Sequence, residues 1–237
     1  MNELNLNNLE LKTFTEQNVL DYCLLNNINP DDITELYLHK NELTDISGIK
    51  LFKNIEILYL CYNKLSDISV IKDLNNIKIL HLNNNKIKNI SFLNNLKKLK
   101  ELYLGNNNIK NILIIKNLKS LKSLGLSSCR LTDISVLKDL NNLKHLDISN
   151  NKLTDISDLK NLIKLKSLYL NNNKINNISV IQNLNNLEYL SIRNLNLETN
   201  QFKYIKNLTS LKELLTKKAF KDMSVLNQLN KNIHILE

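Results

Sequence analysis

Residues 143–164 read LKHLDISNNKLTDISDLKNLIK. Apolar residues fall at positions 1, 4, 6, 11, 14, 17 and 20 of this stretch: Leu143, Leu146, Ile148, Leu153, Ile156, Leu159 and Leu162. Asn151 stands at position 9. The same pattern restarts at residues 33, 55, 77, 99, 121, 143 and 165, seven units of 22 residues without an insertion. A fixed period of roughly 20–29 residues marks a stack of coils, each of which buries its apolar side only against its neighbours.

The pattern degrades towards both ends. An eighth unit starts at Leu187, has Leu195 where the asparagine should be, and runs about two residues longer, to Ser210. A ninth starts at Leu211, with Thr216 at a normally apolar position and Ala219 at the asparagine position. Ile233-His234-Ile235-Leu236 reads as the strand of one more turn. At the other end, Leu4, Leu6, Leu9 and Leu11 alternate around Asn7-Asn8, either a short hairpin or a lone strand. Thr13 with Glu16 makes a capping box, and Val19, Leu20, Cys23 and Leu24 follow at helical spacing, which predicts a helix over about 14–25. Pro30-Asp31-Asp32 breaks the chain before the first regular strand. The expected organisation is therefore an N-terminal cap at 1–32, repeats at 33–210, and a degenerate C-terminal repeat and cap at 211–237.

Within each unit, positions 3 to 7 alternate and predict a short strand with positions 4 and 6 inward. Stacked coils place these strands side by side as a parallel sheet, and the return leg sends positions 11, 14, 17 and 20 into the same core. Each buried aliphatic side chain contributes ~1.5–3 kcal/mol, which must offset the ordering of the coil. Position 9 holds Asn41, Asn63, Asn85, Asn107, Asn151 and Asn173, with Cys129 substituting once. An inward asparagine both donates and accepts, so this column is expected to be a structural ladder that satisfies the backbone of the turn. The recurring Asp-Ile-Ser of Asp45, Asp67, Asp133 and Asp155 puts a serine at position 15, the expected N-cap of a short turn. The fold class that follows is an α/β repeat solenoid. It is expected to be a right-handed coil with a parallel concave sheet, short helical or 3-10 turns on the convex side, and an N-terminal helical cap.

The form LxxLxLxxNxIxDISxLxxLxx resembles the 22-residue leucine-rich-repeat subclass of bacterial internalins and of a regulatory subunit of protein phosphatase 1. The resemblance covers residues 33 to about 210. It implies a curved solenoid that binds other proteins through its concave sheet. The family motif is the scaffold itself, so the resemblance assigns no contact residue.

The chain has a pI near 9.3 and a net charge of +9, and the positions of the charges decide what this means. Lys78, Lys100, Lys122, Lys144 and Lys166 line position 2, and Lys64, Lys86, Arg130, Lys152 and Lys174 line position 10. The outward strand positions instead carry Glu35, Glu101, Asp147 and Glu213 against Arg193 and Lys217. A nucleic-acid groove wants its cations beside its aromatics, and here the two are segregated. An anionic ligand or nucleic acid clasped by the lysine rims is the alternative reading. Three cysteines, an odd number spaced far apart, argue against a disulfide framework and for a reducing compartment. No signal-peptide pattern opens the chain and no apolar run reaches membrane-span length, so the expectation is a cytoplasmic rather than a secreted protein, without a membrane segment.

The informative positions are those the core leaves free. Position 5 reads Tyr37, Tyr59, His81 and Tyr103 on four consecutive strands, a stripe about 15 Å long at strand spacing. Of eight tyrosines, six lie on or beside this face, with Tyr62 at position 8, Tyr169 at position 5 and Tyr189 at position 3. Partly polar aromatic surfaces are typical of binding hot spots. Gly105 and Gly125 mark a candidate notch, and Asp147 continues the position-5 column. His39, Cys61 and His81 on successive strands permit a Cys–His pair or part of a zinc site, but no fourth ligand or oxyanion element accompanies them. The expectation is a non-enzymatic protein-interaction scaffold that needs no cofactor or metal and binds another protein through the concave face. It is expected to be a monomer, with dimerisation through the C-terminal sheet edge as the other option.

Overall fold

The computed structural model describes residues 2–109, 111–229 and 232–236. The contacts divide the chain into two units, Met1–Leu121 and Lys122–Glu237.

In the first unit five strands, β1 (Glu3–Asn5), β2 (Glu35–Tyr37), β3 (Ile57–Tyr59), β4 (Ile79–His81) and β5 (Glu101–Tyr103), lie parallel in chain order. The register is the repeat period itself, since Leu36 faces Leu58, Leu58 faces Leu80 and Leu80 faces Leu102. Each strand has only three residues, and its central leucine is fully buried from β2 to β5. The second unit repeats this with β6 (Ser123–Gly125), β7 (His145–Asp147), β8 (Ser167–Tyr169), β9 (Tyr189–Ser191), β10 (Glu213–Leu215) and β11 (His234–Leu236). The return legs are 3-10 segments such as Ser69–Asp73 and Ser157–Asn161.

The inward asparagines bind the backbone of two successive coils. The Asn63 Oδ1 accepts from Leu43 N at 3.0 Å, while its Nδ2 donates to Leu38 O at 2.9 Å and Leu60 O at 3.0 Å. Asn85, Asn107 and Asn173 repeat this arrangement. Asn41 and Asn151 each accept from two amides, Leu9 and Leu11 for the one, Cys129 and Leu131 for the other. The Cys129 thiol is buried and donates to Ser127 O. One residue earlier, position 8 takes a left-handed backbone, with φ between 54° and 58° from Lys40 to Asn194. Asparagine tolerates that region best after glycine, which explains Asn84, Asn106, Asn150, Asn172 and Asn194 there.

Two local expectations need correction. The serine of Asp-Ile-Ser does not cap its turn: the Asp155 carboxylate accepts from Ser157 N at 2.8 Å, and Asp45, Asp67 and Asp133 do the same two residues before their serines. A carboxylate reaches an amide two residues on, as in an Asx turn, and the serine then becomes the first residue of the 3-10 segment. The helix α1 runs Glu16–Leu25, with Thr15 rather than Thr13 as its N-cap. Thr15 Oγ1 accepts from Asn18 N and the Asn18 Oδ1 accepts from Thr15 N, both at 3.2 Å. Thr13 is held in an extended bridge to Asp45, and Glu16 pairs with Lys50 instead.

Residues 2–32 thus make a coil of their own, with β1 parallel to β2 and α1 on the return leg. Val19 and Cys23 are the buried face of α1, and Phe14 stacks on Phe52 with ring centroids 6.1 Å apart. Gly48 lets α1 approach: its amide donates to Phe14 O at 2.8 Å. Near the other end the eighth coil carries a short helix, α2 (Phe202–Lys206). Its Leu195 is buried, and the ladder is replaced by backbone bonds from Leu197 N to Ala219 O and from Lys221 N to Leu197 O.

Candidate functional site

Alternation on β2 to β5 turns Tyr37, Tyr59, His81 and Tyr103 outward, and the 22-residue register sets each beside the next. The rings stack along the sheet: centroids lie 5.0 Å apart for Tyr37–Tyr59, 4.3 Å for Tyr59–His81 and 4.6 Å for His81–Tyr103. His39 joins from the side, 6.5 Å from Tyr59. All five rings are half-buried, because each covers part of its neighbour. Ile57 and Ile79 lie half-buried on the same face at position 3, beside Glu35 and Glu101. Reading the tyrosines alone missed these isoleucines; two β-branched residues at outward positions were the signal.

The electrostatics follow from this packing. The Tyr37 hydroxyl donates to Glu35 Oε2 at 2.7 Å, which with burial holds the phenol proton up to about 12. Burial first, then the nearby Glu101 carboxylate, raises the Tyr59 phenol. Burial between rings lowers the His81 imidazole to about 4, so it is neutral at ordinary pH. Its Nε2 and the Nδ1 of His39 are buried without a hydrogen-bond partner among the described residues. Cys61 is half-buried and its thiol is pushed up, chiefly by burial. A nucleophilic cysteine needs the opposite shift. His81 is committed to Tyr59 and Tyr103, and among the described residues no group of three His, Cys, Asp or Glu side chains is placed to hold a metal ion.

Tyr62 sits at the left-handed position after β3 with φ 58° and is 54% exposed. A bulky ring in that backbone region is strained where asparagine is not. Gly105 is buried after β5, its amide donating to Asn83 Oδ1 at 2.7 Å.

The remaining candidates belong to the second unit. Gly125 is buried on β6, and the Asp147 carboxylate folds back onto Ser149 N and Oγ at 2.9 and 2.6 Å. Tyr169 and Tyr189 form a separate ring pair with centroids 4.8 Å apart. Next to it Glu188 bridges Lys166 and Lys212 at 2.7 and 2.5 Å, and the two ammonium groups draw its carboxyl down to about 2. These groups, with His145 and Ser167, line an open cavity of about 460 Å³. In the first unit Lys64 and Lys78 pair with Glu42 and Glu56. Members of both lysine columns are thus partly neutralised.

The fold and the repeating asparagine turn define a leucine-rich-repeat solenoid, and comparison with known proteins agrees. Residues 75–118 and 119–161 match the family model described as leucine rich repeats in two copies. The internalin inlF of Listeria monocytogenes has a TM-score of 0.77 and 33% identity over 88% of this chain, which spans 61% of the internalin. Internalin C2 of the same organism has a TM-score of 0.64 and 28% identity over 87% of this chain and 81% of its own. The plant peptide hormone receptor RGFR1, solved in complex with RGF2, shares the fold at a TM-score of 0.60 and 20% identity, over 86% of this chain and 39% of its own. No curated protein matches the chain in sequence. The chain is a leucine-rich-repeat protein that resembles the internalins. Among the described residues no helix is long and apolar enough to cross a membrane.

Proposed function

We propose that the chain is a non-enzymatic protein-binding scaffold whose partner docks on the outward strand face of residues 35–105. The observation that carries this reading is the ring ladder Tyr37–Tyr59–His81–Tyr103, set on the sheet face opposite the core and continued by Ile57, Ile79 and the exposed Tyr62. Such a surface supplies apolar area with little side-chain entropy to lose, and hydroxyls to orient the partner. Tyr62 strengthens the argument, since strain held at an exposed residue is a mark of use. An anionic ligand on the lysine rims is the weaker reading, because Lys64, Lys78, Lys166 and Lys212 already engage carboxylates.

The test is a pull-down from the native cell with partners identified by mass spectrometry, using wild type, the triple variant Tyr37→Ala, Tyr59→Ala, Tyr103→Ala, and the matching triple Phe variant. The Ala variant should lose the partner, and the Phe variant, which keeps the stack, should retain part of the binding. Capture of the same partner by the Ala variant at wild-type yield refutes the reading. Steep loss of wild-type binding at moderate salt with no effect of the Ala changes would favour the rims.

A further inference from the structure

The helix α1 has an outer face that the fold does not use. Val19 and Cys23 are buried where α1 packs on the return leg Ser47–Leu51, leaving Leu24 and Leu25 each 82% exposed and Leu20 49% exposed. On a helix these three leucines surround Asp21, which accepts from Gln17 Nε2 at 2.7 Å. The setting is acidic. Residues 1–32 carry six Asp and Glu and a single lysine, whereas residues 33–237 hold 31 of the 32 Lys and Arg against 17 of the 23 acidic residues.

A complementary surface lies on the return legs of the same unit. The serine that opens six other return legs (Ser47, Ser69, Ser91, Ser135, Ser157 and Ser179) is replaced by Leu113. Leu113 is 50% exposed, and with the half-buried Ile114 it lines a groove of about 400 Å³ flanked by Lys88 and Lys116. Removing these apolar groups from water favours association, and the opposed charges fix its orientation. A leucine knob around a carboxylate thus matches an apolar groove between two ammonium groups.

We propose that the leucine face of α1 seats in the Leu113 groove of a second copy of this chain. The two surfaces differ, so a single contact is heterologous, and the pair it joins keeps one free knob and one free groove. Association therefore continues head to flank until a reciprocal contact closes the pair or a ring. The contact does not involve the ring ladder, and it differs from pairing through the edge strand β11.

Sedimentation velocity over a wide concentration range tests this on the full chain. Wild type should show a sedimentation coefficient that rises with concentration, less so at high salt. Leu24→Glu and Leu113→Glu should each weaken association about tenfold or more, as loss of a central apolar contact does. Leu113→Ser, which restores the residue of the other coils, should act in the same direction without straining the fold. A mixture of Leu24→Glu with Leu113→Glu should form a one-to-one complex and stop there, because one intact knob and one intact groove remain. A wild type that stays monomeric at every concentration overturns the proposal. So does association that survives Leu24→Glu and Leu113→Ser, the result expected of edge-strand pairing. Leu24→Glu should capture the ladder's partner as wild type does, which separates failure here from failure of the proposed function.

Discussion

A methyl group placed on Gly48 would lie 2.5 Å from the carbonyl oxygen of Thr15 and 2.7 Å from that of Phe14. Both are backbone atoms at the start of α1, so neither can swing aside as a flexible side chain would. Gly48→Ala should therefore lift the cap helix and destabilise the protein by about 1–3 kcal/mol. Urea unfolding measures it, and amide exchange of Val19 and Cys23 should rise more than that of Leu102.

Tyr62 has the reverse character. Its ring occupies a left-handed backbone position that five other coils give to asparagine. Tyr62→Asn should stabilise the chain by about 1–2 kcal/mol, the amount left-handed strain typically costs a bulky residue. If the ladder is the docking surface, the same variant should bind its partner less well. A gain in melting temperature with unchanged binding would place Tyr62 outside the interface.

Asn63→Leu keeps the size of the side chain and removes its polar groups. Leu43 N then loses its acceptor, and Leu38 O and Leu60 O lose a donor. Leaving several buried backbone groups unsatisfied costs about 2–4 kcal/mol, so the denaturation midpoint should fall far more than for a surface change such as Asn76→Leu.

Acid should act in two stages. The His81 imidazole titrates near 4 in the fold against an ordinary 6.5, so between these values the unfolded chain binds a proton that the folded chain refuses. Stability is therefore fully present above pH 6.5 and declines as pH falls towards 4, by about 1–2 kcal/mol once solvent screening of a partly exposed ring is allowed for. Below this, Asp67 and Asp155 contribute. Their carboxyls are lowered chiefly by the Ser69 and Ser157 amides, and the stability they give is lost as pH falls through their folded values. Burial lowers the His39 imidazole as well, so His81→Phe should reduce the first stage of a melting-temperature profile without abolishing it, and leave the second.

The scaffold was largely legible in the sequence because a stacked coil imposes the same demand every 22 residues. Leu36, Leu58, Leu80 and Leu102 must all be apolar, so the pattern names the strand, its inward face and its register together. The leucine-rich-repeat resemblance rested on the same columns. The N-terminal helix, which occurs once, was legible from its own periodicity, but the contacts that seat it were not. Nothing near Gly48 in the sequence announces the carbonyls of Thr15 and Phe14, some thirty residues earlier. Thr13 and Thr15 are equally good caps by composition, and only the bridge from Thr13 to Asp45 decides between them. The tyrosine column could be read, but not that its rings would lie against one another and bury His81 among them.

The inward asparagines also set how the molecule ages. Hydrolysis of the Asn63 amide to a carboxylate would replace a donor by an acceptor aimed at Leu38 O and Leu60 O, so that attraction becomes repulsion inside the core. Six coils carry a copy of this vulnerable amide, at Asn41, Asn63, Asn85, Asn107, Asn151 and Asn173, and damage at one loosens the joint with the coil before it. The residues that follow Asn41, Asn63, Asn85, Asn107, Asn151 and Asn173 are Glu42, Lys64, Lys86, Asn108, Lys152 and Lys174, never the glycine that speeds such hydrolysis. The turn that holds the stack together is thus also its clock, and the side chains after it keep that clock slow.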